Sequence, residues 1–349
     1  MKAKMAKISW VIGVLLVILG LSYVVHRHLY RVQVWHFTSR PFTAWTEPFG
    51  HTTDALALAK GLDGRIYGPL AFVIRQGHPI IADTYQHRIV MNTRPWHIIA
   101  TGHLLAEDLV DTGRHLYFVD NQTLSVFRVD QGKLVKIIQL HPPAGQTEMI
   151  WHMASDGQTL LLEGVKLGKG EYETWLRQYQ TNGRLLKTLS VARTRWDSPF
   201  EVSADSAIGV VIRSFSVSPK QQLAVEVADD DANQRLVQIY SPQNRLIRQA
   251  HLISPEPIIH SQLLGMNKMG WIYWGVNLTD PGKAFVAVLT PRGRTLFIKV
   301  HAVKVASGVY GVVSPNGSLY LLQSTAKEYR IVKWTLVASQ RWSWNGHVL

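Results

Sequence analysis

The chain has 349 residues, 46% hydrophobic and 17% charged, a balance that excludes a disordered chain and supplies a substantial core. It contains no cysteine, so disulfides, thiolate metal sites and Cys nucleophiles are excluded. Lys and Arg number 37 against 24 Asp and Glu, a formal charge of +13 spread along the chain, which favours anionic surfaces without choosing among them.

Residues 1–7 carry Lys2, Lys4 and Lys7 and precede an unbroken apolar run, Ile8 to Val25. Eighteen residues of helix rise about 27 Å, enough for a hydrocarbon core. The run passes into Tyr23, Val24, Val25 and His26 with no small-x-small cleavage site, so an uncleaved signal anchor is expected rather than a removed signal peptide. The lysines before it place the short N-terminal tail in the cytoplasm and the large C-terminal part outside, a single-pass cell-membrane protein. The missing cysteines fit an exported bacterial protein. Residues 26–60 form a juxtamembrane segment rich in aromatics, including Trp35, Phe37, Phe42 and Trp45, part of which is expected to pack on the domain that follows.

From residue 61 to 349 a unit recurs six times. A turn launches a short apolar strand: Arg75-Gln76-Gly77, Asp111-Thr112-Gly113, Ser155-Asp156-Gly157, Ser218-Pro219-Lys220, Lys268-Met269-Gly270 and Pro315-Asn316-Gly317. Strands are expected at 79–83, 115–120, 159–164, 222–227, 271–276 and 318–323. A second turn, such as Asp130-Gln131-Gly132 or Thr181-Asn182-Gly183, precedes a further apolar strand, and no segment of helical period intervenes. Self-similarity at this period, with four short strands per unit, predicts an all-β, six-bladed β-propeller of four-stranded blades, preceded by a single N-terminal transmembrane helix.

Two irregularities stand out. The last unit shows three strands, and a segment near Arg31–Trp35 or one near Arg341–Trp344 completes it, the N-terminal one being favoured because it closes the ring. Between Gly157 and Lys220 the spacing lengthens, and the excess, residues 192–213, is either a long inter-blade loop or an extra hairpin. It contains Arg195, Trp196 and Asp197, the first candidates for a partner-binding loop.

In the first unit, Ile80-Ile81-Ala82-Asp83-Thr84-Tyr85-Gln86-His87-Arg88-Ile89-Val90 resembles the core of an NHL repeat, with Gln86 where the family usually has Asn. The other five units share the rhythm without the string. The resemblance implies a six-bladed propeller and a structural role for Asp83, His87 and Arg88 at the turn between the second and third strands; NHL propellers include protein- and RNA-binding modules and a few enzymes. Asp83 is suited to accept backbone N–H bonds and Arg88 to reach a carboxylate.

No nucleophile elbow, phosphate loop, dinucleotide fingerprint or zincin motif is present. Of fifteen histidines, His152 and His260 lie near the starts of their units, where side chains from different blades converge on the channel. Asp229, Asp230 and Asp231 lack the alternate-residue spacing of calcium loops and read as a solvated hairpin, so no metal ligand set is assigned. Trp271, Tyr273 and Trp274 read as packing between blades.

The reading that follows is a membrane-anchored, extracytoplasmic binding module for a protein or ligand, with the membrane contact through residues 8–25. It carries no catalytic signature and no assigned cofactor, and nucleic acid is not indicated as a partner. One alternative is a propeller-type hydrolase or lyase with its site in the central channel and a divalent cation there. The other is binding of an anionic envelope polymer through the diffuse positive charge.

Overall fold

The computed structural model describes residues 31–349 apart from 51, 62–63, 92–94, 169, 196–201, 207–211, 228–230, 255, 280–283, 294, 301–306, 345–346 and 349. The apolar stretch 8–25 lies outside the described residues, among which no helix is long and apolar enough to cross a membrane. Two compact units divide the chain, residues 41–335 and residues 1–40 with 336–349.

The larger unit is an all-β, six-bladed propeller. The first strands are Ala71–Arg75, Asp108–Asp111, Thr147–Ser155, Ile212–Val217, Ile258–Met266 and Gly311–Val313. Each touches the next, and the sixth touches the first, so they form a closed inner ring. The second strands begin within one residue of their expected starts, as His78–Asp83, Leu116–Asp120, Thr159–Leu167, Leu223–Val227, Ile272–Leu278 and Leu319–Leu322. The turns between first and second strands use positive φ where the sequence places Gly or a Gln-Gly pair: Gln76 and Gly77 stand at 52° and 86°, a pairing only small or amide residues accept cheaply.

The core lies between blades, not within one. Phe118 and Leu109 of the second blade pack with Ile80 and Ile89 of the first, and Trp175 and Leu162 of the third with Tyr117 and Val119 of the second. Both faces of a middle strand are thereby covered, which is why His78–Asp83 is buried along five consecutive residues while the outer strand Leu246–Ile253 is largely exposed. Tyr273 and Trp274 are fully buried in this way. Gly164 is required by the same packing: a Cβ there would lie 2.3 Å from the Trp175 ring and 2.4 Å from the Met149 carbonyl.

The sixth blade runs Gly311–Val313, Leu319–Leu322 and Glu328–Trp344, and its outer neighbour is the N-terminal strand Arg31–Pro48. Within the propeller unit, Phe49 N–H donates to the Lys327 carbonyl at 3.0 Å, and buried Trp45 meets Tyr329 edge-on at 6.1 Å. In the smaller unit, the end of Glu328–Trp344 pairs with the two-residue strand His347–Val348. The stretch 192–213 contributes a fifth strand to the third blade, Val202–Ser206, antiparallel to Leu185–Arg195. Of the two readings of this excess, the extra strand is the observed one. Asp231 sits exposed in the turn before Gln234–Tyr240 and accepts the Asn233 N–H at 2.8 Å, while Asp229 and Asp230 lie outside the described residues.

Candidate functional site

Three consecutive first strands share a local device. In blades three to five the register slips by one residue at Ile150/His152, Ile212/Ser214 and Ile258/His260. Each slip is a β-bulge following an isoleucine, and it sets the polar residue two positions on opposite a polar residue of the second strand: His152 faces Glu163, Ser214 faces Glu226, and His260 faces Asn277. Bulges re-aim side chains in this manner.

At the axis, residues of all six blades enclose a cavity of about 510 Å³ on the rim that carries the turns between first and second strands. His152 is the blade-three wall residue farthest from that rim, with Met153, Ala154 and Ser155 following toward it. The His152 ring is held from two sides. Its Nδ1 lies 3.0 Å from Asp108 Oδ2 of the second blade, and its face lies 5.2 Å from the Phe215 ring of the fourth. Asp108 is itself fixed by N–H donors from Met153 at 2.7 Å and Leu109 at 2.8 Å. The other nitrogen, Nε2, is thereby left to face away from Asp108. Nearer the rim, Arg75 grips Asp111 with Nε at 2.9 Å and Nη2 at 2.6 Å.

The electrostatics of His152 and Glu163 are coupled. Burial pushes the imidazole down, but Asp108, with a smaller contribution from Glu163, more than offsets this and its pKa rises. Burial pushes the Glu163 carboxyl up, His152 opposes and Glu226 reinforces, and the result is about 7. An imidazole on the cavity wall, oriented by a carboxylate, is equipped to exchange a proton with a bound molecule.

Glu226, one blade on, is fully buried and satisfied. It accepts from Ser214 at 2.8 Å, from the Trp274 indole at 3.0 Å and from the Ser261 hydroxyl, and Arg235 Nε stands 3.7 Å away. Arg235 in turn donates to the carbonyls of Ile258 and Asp231. This cluster joins blades four and five.

The residues singled out in the sequence are distributed as follows. His152 lines the cavity; His260 is exposed and is not part of its wall. Asp83 is buried and accepts Ala57 N–H at 3.0 Å and Arg88 Nε at 2.8 Å, while Arg88 also donates to the carbonyls of Thr53 and Ala55. His87 adopts φ 50° at the end of a short 3₁₀ turn, Thr84–Gln86, with Nδ1 3.3 Å from the Leu104 carbonyl. These three residues bind the first blade to the segment before it and lie away from the cavity wall. Arg195 pairs with Glu171 at the exposed end of the fourth strand of blade three, and Trp196 and Asp197 lie outside the described residues.

Sequence reasoning did not single out Asp108, Glu163 or Glu226. The recurring Ile-x-polar signal at 150–152, 212–214 and 258–260 marks the bulges and points to Glu163 and Glu226, not to Asp108. Asp120 was also missed: it holds the Leu105 N–H at 2.9 Å in the second blade, the role Asp83 plays in the first. Among the described residues no three His, Asp or Glu side chains converge to hold a metal ion.

No protein-family model matches the chain, and no curated protein matches it. Solved structures similar to it include a gluconolactonase from Xanthomonas campestris, 13% identical over 88% of this chain and 100% of that one, with a TM-score of 0.48. An oligogalacturonate lyase in complex with manganese is 12% identical over 77% and 97%, TM-score 0.45. A member of the duf4221 family from Bacteroides vulgatus is 10% identical over 87% and 99%, TM-score 0.44. None of these similarities speaks to what this chain binds or does.

Proposed function

We propose that this chain is a membrane-anchored, extracytoplasmic binding module whose recognition site is the central cavity. The observation that carries the reading is the 510 Å³ space walled by all six blades, in which apolar residues such as Leu264 and Val312 stand beside a fixed imidazole and a fixed guanidinium. A mostly apolar concavity with a few positioned polar groups is the usual make-up of a small-molecule site. The anchor is residues 8–25, supported by their length and flanking lysines. The NHL-like string of the first blade supports a propeller of that type, with Asp83, His87 and Arg88 as its structural residues.

The test uses the full chain in detergent micelles and a panel of small neutral, anionic and cationic compounds, read as shifts in thermal unfolding, beside the cavity-filling variant Val312→Trp. Binding raises the unfolding temperature of the folded state alone. The expected result is at least one compound whose shift disappears in the variant. Shifts that are all absent, or all indifferent to Val312→Trp, overturn the cavity reading. For the anchor, deletion of residues 1–30 is expected to release the protein from washed membranes.

A second reading, acid–base catalysis in the same cavity, is favoured by one observation: the His152 ring is oriented by Asp108 and adjoins the proton-holding Glu163.

A further inference from the structure

The ionisable groups on the cavity wall are Arg75, Asp108, Asp111, Asp156 and His152, and each is engaged within the fold. Arg75 and Asp111 hold each other through two contacts, at 2.6 and 2.9 Å. Asp156 accepts the N–H groups of Gln158 and Thr159 and the Thr159 hydroxyl. Asp108 takes two N–H donors and the His152 ring. An ion entering this space sheds its water for groups that are already committed, a cost without a matching return.

The described wall also carries four hydroxyls, and three of them are committed too. Thr112, Ser155 and Ser314 each donate to a main-chain carbonyl of their own turn. Gln76 is exposed at the rim and already in water.

Two polar atoms of the wall are left over. One is the hydroxyl of Ser216, a residue 7% exposed that makes no side-chain hydrogen bond among the described residues. The other is His152 Nε2. Asp108 is an acceptor, so the proton of the neutral ring sits on Nδ1 and Nε2 offers a lone pair. The side chain keeps 24% of its surface although Asp108 covers one edge and Phe215 one face, which leaves the Nε2 edge open. The rest of the wall is apolar, from Leu109 of the second blade to Leu264 of the fifth and Val312 of the sixth.

We propose that the cavity takes a neutral alcohol or phenol, whose hydroxyl donates to His152 Nε2 and whose hydrocarbon lies on the apolar wall, with Ser216 as a second hydrogen-bonding point. This ligand class rests on the cavity reading above. A ligand without a donor leaves the Nε2 lone pair stripped of water and unpaired. A divalent metal needs three or more protein donors, which do not converge here among the described residues.

Fluorine NMR titration of the full chain in detergent micelles reads the ligand class with four probes of similar shape. They are 4-fluorophenol, 4-fluoroanisole, 4-fluorobenzoate and 4-fluorobenzylammonium, at pH 8, alkaline to an ordinary imidazole and below the ionisation of a phenol. Val312→Trp, titrated in parallel, subtracts partition into the micelle. The phenol is expected to bind the wild type and not Val312→Trp, with the anisole about tenfold weaker for want of its donor and both ions weaker still. Ser216→Ala is expected to weaken the phenol, and His152→Phe to abolish its advantage over the anisole. The order of the four probes is read on the wild type whether or not a variant folds. Anisole binding as tightly as the phenol, or either ion binding more tightly, overturns the proposal. If an ion is the ligand sensitive to Val312→Trp, the hydroxyl class falls and the cavity reading stands. If no probe is sensitive to it, the hydroxyl class falls and the wider panel above decides the cavity reading separately.

Discussion

Glu163 and His152 face each other across the first two strands of the third blade, set there by the one-residue slip at Ile150/His152. Asp108 holds the far side of the ring, and burial leaves the carboxyl protonated up to about pH 7. An acid whose proton is held by burial destabilises the fold once that proton is lost.

That cost has a definite pH window. In the unfolded chain the carboxyl titrates near 4.5, in the fold near 7. The folded state binds the proton more tightly, so stability falls as pH rises from about 4.5 to about 7 and is level above. The difference corresponds to about 3 kcal/mol. His152, whose pKa is raised, acts in the same direction, losing its contribution as pH rises through its folded pKa. Glu163→Gln isolates the carboxyl: denaturant midpoints are expected to fall between pH 5 and pH 8 in the wild type and to fall distinctly less in the variant.

The Asp83–Arg88 pair joins the first blade to residues 53–57 and is almost wholly buried. Asp83→Asn leaves the guanidinium without its counter-charge, and such losses cost about 3–5 kcal/mol. Urea unfolding at neutral pH is expected to show that loss. A change under 1 kcal/mol would remove the pair from the account of the fold.

Ring closure depends on the N-terminal strand. Trp45→Ala removes a buried indole that meets Tyr329 edge-on, at a cost of about 3–5 kcal/mol. Amide exchange is expected to accelerate first in 319–322 and 328–335, the strands of the sixth blade, rather than in the third or fourth.

Gly164→Ala drives a methyl into the Trp175 ring and the Met149 carbonyl. Overpacking costs about 1–3 kcal/mol, and the rigid backbone contact places this site at the upper end. The thermal unfolding temperature is expected to drop without a change in ligand class.

The legible and illegible parts of this fold divide on range. Turns such as Gln76-Gly77 show in the sequence because positive φ has a local signature, and second strands show because they are buried on both faces and read as short apolar runs. His152 stood out by its place in the repeat. Glu163 did not, because it meets His152 only through a bulge, and a one-residue slip reverses every side chain's face without altering composition. Asp108 is 44 residues from His152 and on another blade. The added strand Val202–Ser206 was equally hidden, since its length of sequence admits a loop as readily as a hairpin.

The most direct measurement is the infrared carboxyl band of Glu163, taken as the wild-type minus Glu163→Gln difference across pH. The account predicts a protonated band that persists to about pH 7. A carboxyl already ionised at pH 5 contradicts it.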